Sequence, residues 1–184
     1  MDKQFFSGNP EDVAEKLLGC QLVRHKDNKI LKGRVVETEA YLGEEDPGSF
    51  ASRGRNVRNS LMFETYGKFF IYLSYGVHHM LNITAGRDKV GSVLIRAVEP
   101  LEGIEYMKVN RNNESVVELS NGPGKLTQAF GIDEYFNGKS ALGGTLRIEE
   151  GCHEEPVERS GRIGISRGED IELRFYLGGN DFVS

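Results

Sequence analysis

Residues 33–43, G-R-V-V-E-T-E-A-Y-L-G, restrict this chain more than any other stretch. Their β-branched content and clean alternation predict a strand, and a period of two puts Val35, Glu37, Glu39 and Tyr41 on one face and Val36, Thr38 and Ala40 on the other. The small, apolar row can pack on a core. The other row brings two carboxylates and a phenol together and must face water or a polar cavity, because an unpaired buried carboxylate is costly. The window by itself allows either an ordinary half-solvated strand or the floor of an active site.

Around this strand the chain alternates helices and strands. Residues 9–18 predict a helix with Asn9 as its cap, Pro10 in the first position, Glu11 and Asp12 in the first turn, Val13, Leu17 and Leu18 as the apolar stripe and Gly19 as terminator. Residues 20–26 predict a strand, turned by Asp27-Asn28-Lys29 into the strand above. Residues 43–60, rich in Gly, Ser, Asn and Arg, are too long for a passive turn and form either a functional loop or a flexible insertion. A short helical or irregular piece follows at 61–65.

Residues 68–84 predict two strands about a tight turn near Gly76, with Phe70, Tyr72 and Ser74 on one face and Phe69, Ile71 and Leu73 on the other. Tyr75 falls at the tip, where a large aromatic has little to pack against unless a partner supplies the surface. The bland alternative makes both tyrosines core or edge residues with wet hydroxyls. Residues 90–100 are a fourth strand interrupted by Arg96, whose guanidinium needs an anionic partner if it enters a core. Glu37 and Glu39 are the candidates, a snorkelling edge position the alternative.

Residues 101–109 predict a helix and 110–115 a polar linker. N-G-P-G-K at 121–125 opens a second helix reaching about Phe130, whose amino end can hold a phosphate although it lacks P-loop spacing. Strands at 144–149, 161–166 and 171–177 read as scaffold.

At 184 residues the chain fits one domain, and 38% hydrophobic with 28% charged residues is the balance of a soluble globular protein rather than a membrane-spanning one. The opening residues carry no cationic region followed by a long apolar one, so no secretory signal is expected. Cys20 and Cys152 make neither a disulfide framework nor a metal pattern, which suits a reducing cytosol. His78-His79 and Cys152-His153 lack metal-ligand spacing, and no metal or cofactor is expected. A net charge of -5 weighs against avid non-specific nucleic-acid binding, yet Arg53, Arg55 and Arg58, and again Arg87, Lys89 and Arg96, leave room for local basic patches.

Taken together, V-E-T-E-A-Y-L-G at 36–43, I-Y-L-S-Y-G at 71–76, Asn82, V-L-I-R-A-V-E-P-L-E-G at 93–103 and G-P-G-K-L at 122–126 closely resemble the alkyladenine (3-methyladenine) DNA glycosylase family. The ordered match runs from roughly residue 18 to 132, with a fainter continuation through R-F-Y near the end. The resemblance turns the acidic strand from a solvated face into an active site. It implies that Glu39 is the carboxylate that orients and activates water and that Arg96 helps hold the water and the sugar-phosphate. Tyr41 and Tyr72 are then walls of a pocket for a flipped base, Asn82 the residue that crowds guanine, and Tyr75 the wedge that fills the vacated gap. Phe50 is a departure, since the family usually carries a His in D-x-x-x-H where this chain has D-P-G-S-F, and it bears on lesion range more than on activity.

The chemistry agrees with those roles. Cleaving a glycosidic bond builds positive charge on the sugar, which a carboxylate can stabilise while polarising water, and flipping needs an aromatic slot and a wedge. No Lys stands in the nucleophile's place, so a water-using enzyme without lyase activity is expected. Arg55, Arg58 and Lys125 are candidate contacts to the DNA backbone.

The expected fold is α+β, a single domain over 1–184 with a curved, mainly antiparallel, open-barrel-like sheet, flanking helices and a protruding hairpin. If Tyr72 and Asn82 line one pocket, pairing 72 with 82 requires an odd-length tip around Val77. The expected partner is double-stranded DNA carrying damaged purines, with no membrane, bound by a monomer inside the cell, in cytoplasm or nucleoid, or in a nucleus if eukaryotic. The alternatives are a damage sensor that flips bases with little turnover and a hydrolase of free nucleosides.

Overall fold

In a computed structural model describing residues 1–184, the alternating stretch belongs to the second strand of a hairpin, β1 (Gln21–Lys26) and β2 (Lys29–Tyr41). Asp27 and Asn28 make the two-residue turn with φ of 50° and 60°, a left-handed pair that short polar residues tolerate and that matches the strand twist. β2 is the hub of the sheet. One edge pairs with β5 (Ser92–Glu102) along most of its length, and the other pairs first with β1 and then, at Glu37–Glu39, with β8 (Arg174–Leu177).

The remaining strands are β3 (Phe69–Ser74), β4 (His78–Thr84), β6 (Leu146–Glu149) and β7 (Val157–Ser160). They complete one curled, eight-stranded antiparallel sheet of order β3-β4-β5-β2-β1-β6, with β8 on β2 and β7 on β8, as an α+β half-barrel. No helix is long and apolar enough to cross a membrane.

Helices cover the sheet where its strands are apolar. α1 (Pro10–Leu17) starts on the preset φ of its proline and ends at Gly19, where φ is 81° and a Cβ would lie 2.7 Å from the backbone of Cys152. Asn9 stands at the expected cap position, but its side chain makes no capping hydrogen bond. The helix lies on the even-numbered face of β2, where the Thr38 hydroxyl donates to the Ala14 carbonyl at 2.9 Å. α4 (Pro123–Phe130) covers the other face, and a Cβ at Gly33 would meet the Phe130 ring at 3.1 Å. α2 (Ser60–Glu64) supplies Met62 to a separate apolar cluster with Ala51 and Phe70, which fastens the 43–60 loop to β3.

Three expectations change. The helix expected at 101–109 is α3 (Ile104–Arg111), because Pro100 and Glu102 still pair with Gly33 and Lys32 and Gly103, at φ 78°, makes the break. Residues 161–166 form no strand, and β7 lies just before them. In the β3–β4 hairpin Tyr72 pairs with Met80 and Phe70 with Asn82, so the odd-length tip is centred on Gly76 rather than Val77. Tyr75 and Gly76 both take positive φ, 50° and 71°, which closes the loop one residue earlier. Tyr72 and Asn82 still share a face, since Met80 and Asn82 are two residues apart.

Candidate active site

Residues directly opposed on five neighbouring strands form one row, Phe70, Asn82, Leu94, Glu39 and Arg174, on β3, β4, β5, β2 and β8. The row sets a carboxylate and an amide about two strand spacings apart on one face, roughly 10 Å between backbones, with buried Leu94 between them. Beside it the β2–β5 ladder is irregular at Val35–Thr38. Arg96 stands at that irregularity, next to Glu37 and Glu39 on one face of the sheet.

Glu37 and Glu39 have no exposed surface, which removes the solvated-edge reading of the acidic row. Arg96 donates from Nε to Glu37 Oε1 at 2.9 Å, and its Nη1 lies 3.1 Å from Glu39 Oε1. Burial opposes the charge of Arg96, but the two carboxylates outweigh it and raise its pKa above the usual range. Glu37 Oε1 also accepts from Arg174 Nε at 2.6 Å and from the Ser184 hydroxyl at 2.9 Å, and its Oε2 accepts from the Ser184 amide at 2.7 Å. Glu39 Oε1 accepts from the Ile163 amide at 2.7 Å, and Oε2 from the Tyr41 hydroxyl at 2.8 Å.

The aromatic residues stand over this floor. Burial, then the charge of Glu39 and its hydrogen bond, push the Tyr41 hydroxyl above its ordinary pKa, so it remains a neutral donor. Tyr72 is pushed up to about 12, by burial first and by Glu39 second. Phe50, half exposed, meets Tyr72 edge to face with ring centroids 4.6 Å apart, and Phe70 lies 5.6 Å behind Tyr72. Asn82 is buried and its amide donates to the Met80 carbonyl at 3.3 Å. Tyr75 projects from the hairpin tip, 94% exposed.

A groove of about 640 Å³ lies at the mouth, between the 47–58 loop, Tyr75 and residues 164–167. Arg53, Arg58 and Arg167 line it. The other two expected backbone contacts are engaged elsewhere: Arg55 pairs with Glu64, and Lys125 donates to Asn121 Oδ1 at 2.8 Å away from the groove walls. No group of three or more His, Cys, Asp or Glu side chains stands close enough to hold a metal ion.

The segment expected to be scaffold supplies much of the site. Arg162, fully buried at its side chain, forms a two-bond ion pair with Asp46 at 2.6 and 2.7 Å, with its guanidinium 4.7 Å from the centre of the Tyr41 ring. Burial tends to raise the pKa of Asp46, but Arg162 and the Leu42 and Gly48 amides hold it below the usual carboxylate value. Ile163, Arg174 and Ser184 complete the floor. Their partners lie more than a hundred residues back, and only the R-F-Y similarity near the end pointed toward any of them.

The chain matches the family model for methylpurine-DNA glycosylase (MPG) over residues 4–181. Among curated proteins it is 47% identical to a protein of Prosthecochloris aestuarii, over 99% of this chain and 89% of the relative. It is 42% identical to one of Carboxydothermus hydrogenoformans, over 100% and 98% of the two chains, and 39% identical to one of Methanoculleus marisnigri, over 98% and 96%. All three carry the name "Putative 3-methyladenine DNA glycosylase".

Proposed function

Because the chain belongs to the methylpurine-DNA glycosylase family, we propose that it turns 3-methyladenine and related purines, hypoxanthine and ethenoadenine among them, out of duplex DNA and hydrolyses their N-glycosidic bonds with a water held by Glu39. It acts as one domain and as a monomer, without a lyase step.

The hydrogen bonding of Glu39 carries this reading. A carboxylate offers about four lone-pair sites, and Glu39 meets Arg96 and the Ile163 amide at Oε1 but only the Tyr41 hydroxyl at Oε2. One site on Oε2 remains for a water. As the C1′–N bond breaks, its electron pair leaves with the base, positive charge on the sugar is stabilised by the carboxylate, and the water oxygen bonds to C1′ while its proton passes to Oε2. A cationic alkylated purine leaves as a neutral base. A neutral lesion needs a proton as well.

Tyr41 on one side and the Phe50–Tyr72 pair on the other are the walls of the slot. Glu39 has no exposed surface, so an entering nucleoside parts Phe50 from Tyr72. Asn82 crowds the exocyclic amine of guanine, Tyr75 enters the duplex in place of the flipped base, and Arg58 with its groove neighbours takes backbone phosphates.

The test is base release from duplexes carrying 3-methyladenine, hypoxanthine or ethenoadenine, by the natural protein and by Glu39→Gln. Release that survives in Glu39→Gln would sink the carboxylate mechanism. Phe50 in place of an imidazole motivates the second reading, a damage sensor with little turnover, and tight lesion binding without release by the natural protein would favour it.

A further inference from the structure

Arg162 is the most completely enclosed cation of the site, and nothing in the chemistry above uses its charge. Its Nη1 donates to the Ala40 carbonyl at 3.0 Å and to Asp46 Oδ2 at 2.6 Å, and its Nη2 to Asp46 Oδ1 at 2.7 Å and to the Gly168 carbonyl at 3.3 Å. A Cβ on Gly48 would stand 2.7 Å from Nη2, so the loop comes down on the guanidinium where it has no side chain. Asp46 in turn accepts from the Leu42 and Gly48 amides at 3.0 and 2.9 Å.

A buried ion pair is rarely the cheapest way to gain stability, since apolar residues of the same volume do as well or better. What a planar fork supplies and an apolar contact does not is direction. Three parts of the slot take their direction from this fork. The guanidinium stands over the Tyr41 ring, 4.7 Å from its centre. The carboxylate of Asp46 anchors the loop that presents Phe50, four residues on. The residue that follows Arg162 is Ile163, whose amide donates to Glu39 Oε1 at 2.7 Å.

We infer that Arg162, clamped by Asp46, is a positioning residue for base excision, holding the Ile163 amide on Glu39 and the Tyr41 wall in register with the loop that carries Phe50. This rests on Glu39 being the water-activating carboxylate. Arg162 touches neither base nor sugar and acts only through the groups it orients.

The test is Arg162→Lys, which keeps the charge and loses the fork, measured in single-turnover excision of ethenoadenine from a duplex. A role in stability alone lowers the amplitude, the fraction of molecules that react, and leaves the rate constant of the reacting fraction unchanged. A positioning role lowers the rate constant itself, by roughly ten- to a hundred-fold for a misdirected hydrogen bond to a charged group, with affinity for a duplex containing a stable abasic-site analogue within about three-fold. An unchanged rate constant in Arg162→Lys overturns the inference. If that variant does not fold, Asp46→Asn, which keeps the side-chain shape but drops the charge, is read by the same split of rate and amplitude. Glu39→Gln run in parallel separates the two ideas: if it remains active the carboxylate reading fails, whereas an inactive Glu39→Gln beside a fully active Arg162→Lys removes only the role of Arg162.

Discussion

Glu37 and Glu39 lie two residues apart on one strand, both without exposed surface, and both on Arg96. Their surroundings differ in kind. Glu37 has three donors on Oε1, from Arg96, Arg174 and Ser184, and the Ser184 amide on Oε2. Glu39 has a share of one guanidinium, one amide and one phenol, and a lone pair to spare on Oε2. Two carboxylates meet two guanidiniums, Arg96 and Arg174, so the formal charges inside the sheet balance. Burial therefore does not separate the two acids. The number of donors does: Glu37 is held by two guanidiniums and by both the hydroxyl and the amide of Ser184, four in all, whereas Glu39 meets three, one of them the phenol of Tyr41, and has room for a fourth.

The largest effect expected from that difference is Glu39→Gln, which on the proposed mechanism removes both the base and the charge under the sugar. Single-turnover excision should fall by about a thousand-fold or more, with a smaller loss of thermal stability than Glu37→Gln gives, because Arg96 keeps its pairing with Glu37. Glu37→Gln should do the reverse. It leaves Arg96 and Arg174 facing an amide, and losing one partner of a buried pair costs about 3 kcal/mol or more, or a melting temperature lower by roughly 10 °C. Excision by the folded fraction should stay within about ten-fold of the natural protein. If Glu37→Gln abolished excision while melting normally, the two acids would have to exchange roles.

The side of this comparison that lies on β2 and β5 was legible in the residues. Alternation put Glu37, Glu39 and Tyr41 in one row, and an arginine inside an apolar strand required an acid. Both follow from local periodicity and the cost of a buried charge. The hairpin register was not legible, because nothing in Y-G-V says that Tyr75 itself takes a positive φ beside Gly76, and a tyrosine is an uncommon choice there. The far side of the floor was less legible still. Arg162 meets Asp46 across 116 residues and Ile163 meets Glu39 across 124, and R-I-G-I-S reads from sequence as a scaffold strand, which it does not form, and carries no motif with its own chemistry. A segment whose role is to reach back to an earlier loop leaves its signal in the partner, not in itself.

Tyr75 sharpens the comparison from outside, since it stands at the rim and touches neither acid. Tyr75→Ala should weaken binding to lesion duplex about ten-fold, in line with roughly 1–3 kcal/mol for an aromatic stacked on a base. The excision rate at saturating protein should change by less than about three-fold. Electrophoretic or anisotropy titrations with lesion duplex check it, and undiminished binding would count against a wedge at the tip.

The smallest effect belongs to Tyr41→Phe, and it is the most direct probe of the vacancy on Oε2. Phenylalanine keeps the wall and takes away the one donor that Oε2 has. Two consequences oppose each other: the freed oxygen becomes a stronger base, and it gains a second vacant site, so the water is no longer confined to one direction. A hydrogen bond to a charged group contributes about 1.5–3 kcal/mol, but Arg96 and the Ile163 amide still hold Oε1, so only part of that figure is lost as orientation. Excision should therefore slow by roughly three- to ten-fold, with binding to lesion duplex unchanged. An equal or faster rate would mean that basicity outweighs orientation at Oε2. A loss as deep as that of Glu39→Gln would mean that the phenol, not only the carboxylate, handles the proton, and the number of donors would no longer be what distinguishes Glu39 from Glu37.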